Sequence, residues 1–462
     1  MFCGKFFPTF AVAKTEDALS RGLRQKQTEN MNRMILTAAA LVCVLFQAYA
    51  QRVLTVDEMF SLAESNNRSI SAYRIAEEEA AENVRVAKNG RLPSIEASLS
   101  ASYLGDGWLS DRNFRNGTNA PMPHFGNNFA LKATQVIYAG GAVSSEVEIA
   151  GLQAQVARLR SSDNRQDVRF LLLGYYLGIW QLRNRATVYR QNIRQTELLV
   201  EDIMAAYGQG TALKSDMTRY RLQLESLRLG LTETENDMDI LNHQLATAIG
   251  LDPSVRIEVD TTFLERPLAR LDEEYWQDAA AVSPAMQLAD KSVEIGEESV
   301  RLARSEKLPS LAVVAGDNFD GPIVIEVPPI NKNFNYWYAG VGIRYDFDAL
   351  FKAGKKVRSA KAAVARASKE RDMEMEHLSN EVHSAYVKLD EAYSRLETRK
   401  TSLALAEENY EEVRYRYLNG LVLVTDMLDG SNTKLQAELD LVNARIGIVY
   451  QYCLLQRTAG LL

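Results

Sequence analysis

Apolar residues recur along much of the chain at alternating spacings of four and three. Val168, Leu172, Tyr175, Ile179, Leu182, Ala186, Tyr189 and Ile193 hold such a seam, which continues through Val200, Ile203 and Tyr207 with Thr196 as its one break. The same phase returns 210 residues later, from Leu378 and Val382 through Leu389, Leu396 and Tyr410 to Tyr417. A seam of this kind marks helices that pack side by side as coiled coil. Long helices are therefore predicted over about 142–207 and 355–417, each roughly 90–100 Å long at 1.5 Å per residue. Shorter helices are predicted over 55–88, 213–249, 273–306 and 423–458. Gly208, Gly210 and Gly420 supply permissive backbone for helix-to-helix turns.

Between the helices the period changes to two. In "SIEASLSASY", Ile95, Ala97, Leu99, Ala101 and Tyr103 fall on one face, with Glu96 and the serines on the other. In "YWYAGVGIRYDF", Trp337, Ala339, Val341, Ile343, Tyr345 and Phe347 oppose Tyr336, Tyr338, Gly340, Gly342, Arg344 and Asp346. Strands are predicted at about 94–103 and 336–347, with weaker partners at 129–138 and 310–317. Loops rich in Gly, Asn and Pro, about 104–128 and 318–335, join each pair.

The two halves are copies of one unit. "AKNGRLPS" at Ala87–Ser94 matches "ARSEKLPS" at Ala303–Ser310, and "YGQGTALKSDM" at Tyr207–Met217 matches "YLNGLVLVTDM" at Tyr417–Met427. The expected organisation is an N-terminal extension over 1–50, a first repeat over 51–251, a linker over 252–272 and a second repeat over 273–462. Each repeat reads helix, strand, loop, strand, long helix, turn, helix.

The front of the chain changes the compartment. Basic Arg33 and the apolar run "ILTAAALVCVLFQAYA", ending in Ala48-Tyr49-Ala50, read as a secretory signal peptide. The thirty residues before Met31 are long for the charged region of such a signal, so translation is expected to start at Met31 and the mature chain at Gln51. Residues 51–462 then carry 47 basic and 57 acidic side chains, net −10, which offers no basic excess for nucleic acid. Only Cys453 remains after cleavage, so no intramolecular disulfide forms. Val42 is bulkier than the small residue expected before a lipidated cysteine, which argues against an anchor at Cys43. After Gln51 no apolar run reaches the about 18–20 residues of a membrane-spanning helix. The nearest, Phe170–Trp180, is short and flanked by Arg169 and Arg183. Strands of about ten residues, apolar on one side and small-polar on the other, are what a transmembrane barrel requires. Four strands cannot close a hollow barrel, for which about eight are the usual minimum, so copies of the chain must combine.

The chemistry-bearing candidate is "YLNGLVLVTDMLDG", where Asp426 and Asp429 stand three residues apart on one helix face. A catalytic pair, a cation site and a solvated face all fit that spacing. Asp216 and Asp426 each follow a turn glycine by six residues, where capping and the helix dipole favour an acid. Asp429 has no acidic counterpart in the first copy, where Arg219 stands. No nucleophile, histidine or phosphate-binding loop accompanies the pair, so the chain does not read as an enzyme and no cofactor is expected. His377 and His383 lie six apart, on opposite helix faces, and make no metal site.

These residues bring the chain to a known family. The "RLPS" and "KLPS" pieces before odd strands, "YAGGAV" and "FKAGKKV" where strands yield to long helices, and the paired turns resemble the TolC-like outer-membrane efflux proteins over residues 51–462. The resemblance implies an α+β membrane protein. It would be a homotrimer whose strands form one 12-stranded barrel in the outer membrane, continuous with a long periplasmic α-helical barrel. It further implies a passive exit duct for small molecules or polypeptides, docked at its tip turns to a periplasmic adaptor and an inner-membrane pump. By position, Asp426 and Asp429 match an acidic constriction that favours cations, and Tyr417 and Asp216 match residues whose hydrogen bonds hold the tip closed. Val422 stands where the best-known members carry an arginine, which removes the salt-bridge part of that lock. The competing reading is a periplasmic coiled-coil scaffold without a pore, whose strands need not alternate over ten residues.

Overall fold

The computed structural model describes residues 52–263, 268–326 and 328–462. The signal peptide, the Met31 start, Cys43 and the Gln51 terminus lie outside the described residues. In chain order the elements are β1 (Arg52–Leu54), α1 (Val56–Asn66), α2 (Arg68–Lys88), β2 (Ser94–Tyr103), β3 (Gly107–Leu109), β4 (Thr118–Ala120), β5 (Phe125–Ala139), α3 (Ala142–Gly208) and α4 (Lys214–Ala248). They continue with β6 (Ile257–Val259), α5 (Glu273–Ala281), α6 (Pro284–Ser305), β7 (Ser310–Gly321), β8 (Phe334–Arg344), α7 (Ala349–Leu418) and α8 (Val424–Thr458).

Two stretches predicted as single helices are each broken by a capping residue. Asn67 sits in extended backbone and its side-chain oxygen accepts from the N–H groups of Ser69 at 2.9 Å and Ile70 at 3.3 Å, which starts α2 afresh. Ser283 accepts from Met286 N–H at 3.3 Å, and Pro284 occupies the first turn of α6, where its missing N–H costs nothing. At the far ends of α4 and α8, Gly250 and Gly460 both take φ of +74°, which closes the final turn of each copy in the same way.

The main sheet has four antiparallel strands in the order β2-β5-β7-β8. Strand β5 begins at Phe125, not at 129, because Asn127 and Asn128 pair opposite Gly321 and Asp320 and the Asn128 amide donates to the Asp320 carboxylate. The same pairing carries β7 on to Gly321, and β8 stops at Arg344, three residues before the end of the alternating pattern. The first loop is not structureless: β3 and β4 form a hairpin within it. A parallel pair, β1 with β6, places a strand inside the predicted linker.

On one face of the main sheet lie Ile95, Leu99, Tyr103, Trp337, Val341 and Ile343, 68–79% exposed, so nothing within the described residues covers the apolar side. Asp317 interrupts that face between Leu131 and Trp337, its carboxylate accepting from the Asn335 amide at 3.0 Å.

The chain divides into two compact units, one drawing on residues up to Asn66, Leu172–Pro267 and Ser402–Asn443, the other on Asn67–Leu171, Leu268–Thr401 and Ala444–Leu462. In the first, Leu54, Met59, Leu172 and Tyr176 are fully buried, and the Tyr176 hydroxyl donates to Leu54 O at 2.6 Å and accepts from Asp260 N–H at 2.8 Å. Burial pushes that phenol up to about 12. In the second, Trp276 packs with Val382, Ala385, Leu389, Ile448 and Leu455, and buried Cys453 is likewise pushed up to about 12 by desolvation.

Candidate functional site

The two helix turns are built alike. Gly210 and Gly420 carry φ of +77° and +70°, a region L side chains rarely adopt. In the first turn Gly210 N–H donates to Tyr207 O at 3.0 Å and Thr211 N–H to Ala206 O at 2.9 Å; in the second Gly420 donates to Tyr417 O at 2.9 Å and Leu421 to Arg416 O at 2.9 Å. These bonds satisfy carbonyls at the helix end that have no intrahelical partner. Gly208, by contrast, is the last residue of α3 and has no positive φ, so the turn does not use its conformational freedom.

The next helix in each copy starts at a leucine, which has no side-chain acceptor for capping. Three residues on, an aspartate reaches back: Asp216 Oδ2 accepts from Leu213 N–H at 3.3 Å and Asp426 Oδ2 from Leu423 N–H at 3.0 Å. This is the returning half of a capping box, and it places negative charge at a helix N-terminus. Asp429 lies one turn on, exposed, with no hydrogen bond or ion pair among the described residues.

Both turns meet around one apolar cluster of Leu199, Val200, Ile203, Tyr220, Tyr410, Val424 and Met427. Beside it lies a cavity of about 570 Å³, lined among others by Asp202, Asp216, Arg219, Tyr417, Gly420 and Val422. Asp216 and Tyr417 thus share a cavity, and burial together with the Asp216 charge raises the Tyr417 phenol. No hydrogen bond joins the two within the chain among the described residues. Asp426 and Asp429 do not line this cavity.

Four neighbours were invisible to the seam. Tyr220 is 1% exposed and its hydroxyl has no hydrogen-bond partner among the described residues. Burial, then the nearby Tyr417, raises it. Asn192 donates to Glu438 at 2.7 Å, and Lys434 Nζ sits 4.7 Å above the Tyr410 ring. Desolvation raises the Glu438 carboxyl, against the opposing hydrogen bond from Asn192. The one available signal was the break at Thr196, which is buried next to this polar layer.

His377 and His383 approach separate carboxylates, Glu381 at 3.4 Å and Glu273 at 3.0 Å. Among the described residues no group of three or more His, Cys, Asp or Glu side chains is placed to hold a metal ion. No described helix is long and apolar enough to cross a membrane, which says nothing of strands.

A four-stranded sheet with a bare apolar face, together with long helices that turn back in two matching hairpins, defines the class as a TolC-like outer-membrane efflux protein. The sequence profile described as "Outer membrane efflux protein" matches residues 59–251 and 276–459, and the chain belongs to that family. It is an outer-membrane protein. It is 19% identical over 401 residues to the outer membrane efflux protein BepC of Brucella suis biovar 1 (strain 1330), covering 86% of this chain and 83% of that one. Its fold is similar to that of the outer membrane protein VceC from Vibrio cholerae, with TM-score 0.73 and 15% identity over 88% of this chain and 96% of VceC. It is also similar to the CmeC outer membrane channel of Campylobacter jejuni, with TM-score 0.71 and 15% identity over 88% and 85% of the two chains.

Proposed function

We propose that this chain is the outer-membrane exit duct of a tripartite efflux or secretion system, working as a homotrimer. The observation that carries the reading is the four-stranded sheet. Its edge strands β2 and β8, of 10 and 11 residues, each leave one side unpaired among the described residues. In lipid every backbone polar group needs a partner, so an open edge is excluded and β8 of one copy must pair with β2 of another. Three copies of four strands give a 12-stranded barrel, with Ile95, Leu99, Trp337 and Val341 toward lipid and the opposite face toward water. The helices continue the duct into the periplasm, and the turns at Gly208, Gly210 and Gly420 are its adaptor-docking end. An inner-membrane pump supplies the energy through that adaptor.

At the tip, Asp426 and Asp429 from three chains form a ring of carboxylates that admits cations and raises the barrier to anions. Tyr417 and Asp216 close the tip by hydrogen bonds between helices of neighbouring chains. Their half-buried placement in one cavity, with no hydrogen bond between the two among the described residues, supports a pairing made with a neighbouring chain. The test is planar-bilayer recording on purified protein. Wild type conducts and is blocked by trivalent cations from the tip side, and Asp426→Asn combined with Asp429→Asn weakens that block. Equal block in the double variant removes the ring's role; absence of conductance in wild type, with no heat-modifiable oligomer, leaves the scaffold reading.

A further inference from the structure

The face of the sheet opposite Ile95 and Trp337 is mostly small or polar on three strands, Val136 and Val314 excepted, and aromatic over the first half of the fourth. Phe334, Tyr336 and Tyr338 occupy successive positions of β8 on that side, roughly 7 Å apart along the strand. They stand at the ends of three cross-strand rows: Ser100-Asn128-Asp320-Phe334, Ser98-Ala130-Asn318-Tyr336 and Glu96-Lys132-Gly316-Tyr338. A lipid-facing aromatic girdle accounts for Tyr103, Phe125 and Trp337 but not for these three, which point the other way. Nor do they fill a core, since all three are 39–52% exposed.

The surroundings keep the rings available. Gly316, which faces Tyr338, leaves the space into which that ring leans; a Cβ there would stand 2.7 Å from it. Phe334 and Tyr336 stack with centroids 5.4 Å apart and planes 27° from parallel. The charge beside them is negative. Glu96 stands opposite Lys132 and offsets it, whereas Asp320, opposite Phe334, faces no cation in its row and is held by the Asn128 amide. Exposed π faces next to an uncompensated carboxylate attract planar organic cations.

From this we infer that Phe334, Tyr336 and Tyr338, with Asp320, form a stacking track on the barrel wall for fused-ring organic cations. The inference rests on the duct reading, which turns this face toward the pore. A cation drawn through the barrel would pass from ring to ring, staying in contact with the wall.

Methylene blue is the probe, with tetraethylammonium as the control of equal charge and no ring. Equilibrium binding to the purified protein in detergent and dwell time of block in bilayers are both read. Tyr336→Ser with Tyr338→Ser is expected to weaken methylene blue binding and shorten its dwell by about tenfold, leaving potassium conductance, tetraethylammonium block and the heat-modifiable oligomer unchanged. Tyr336→Phe with Tyr338→Phe keeps both. Equal binding and dwell in the serine pair, with conductance intact, overturns the track and leaves the duct standing. A wild type that does not conduct overturns the duct, and equal binding in the serine pair then overturns the track as well.

Discussion

Asp426 and Asp429 are alike in sequence and unlike in structure. Asp426 repeats Asp216 as a returning cap on a leucine N–H, whereas Asp429 is exposed and unengaged among the described residues. Asp426→Ala should therefore destabilise by about 0.5–1 kcal/mol, as loss of a cap does, while Asp429→Ala should stay within about 0.5 kcal/mol, as at other free surface positions. Chemical denaturation of the two variants separates them; equal cost would contradict the assignment. Glu438 offers a second test, in pH. Its carboxyl is raised by desolvation, so it holds its proton more tightly folded than unfolded. Its contribution favours folding below its unfolded pKa and is lost as pH rises through the higher folded value. Glu438→Gln keeps an acceptor for Asn192 and has no proton to lose. Its thermal midpoint should exceed wild type at neutral pH, and the gap should close as the pH falls below the ordinary carboxyl range. A gap independent of pH would show that desolvation of the charge is not the cause.

Among elements, what periodicity can see and what it cannot is clear from particular positions. The alternation through Ile95, Leu99 and Tyr103 was legible because neither side of β2 carries a contrary residue, while Asn127 and Asn128 hid the start of β5 by pairing inside the sheet. The four-three seam chose Tyr175, yet it is Tyr176 that is wholly buried, because a second layer of chain, Leu54 and Asp260, packs on α3 there and takes its hydroxyl. A seam records one packing direction only. Asn67, Ser283 and Pro284 are residue types that start helices, and they divide the predicted helices over 55–88 and 273–306. At the tip the turns and their aspartates were legible from the duplication. The Tyr220 and Asn192–Glu438 contacts were not, since they depend on which helices meet. Trp276, 1% exposed, is the largest buried side chain that α5 contributes to its cluster, beside Ala280. Trp276→Ala should cost about 3–5 kcal/mol, read as a drop in denaturation midpoint; a cost under about 1 kcal/mol would mean that α5 is held by its polar contacts instead.

For the whole molecule, the sheet and the helices make complementary demands. The helices bury much of their seams within the chain, as Leu389 in one cluster with Ile448 and Val200 in another with Val424 illustrate. Among the described residues nothing covers the sheet's apolar face or pairs with its two long edges. In the proposed trimer, lipid covers the face and a neighbouring copy pairs with the edges. Native mass measurement of the complex extracted in mild detergent from outer membranes tests this most directly. The account predicts a particle of three copies that falls to single chains only on heating; a single chain at every temperature would contradict it.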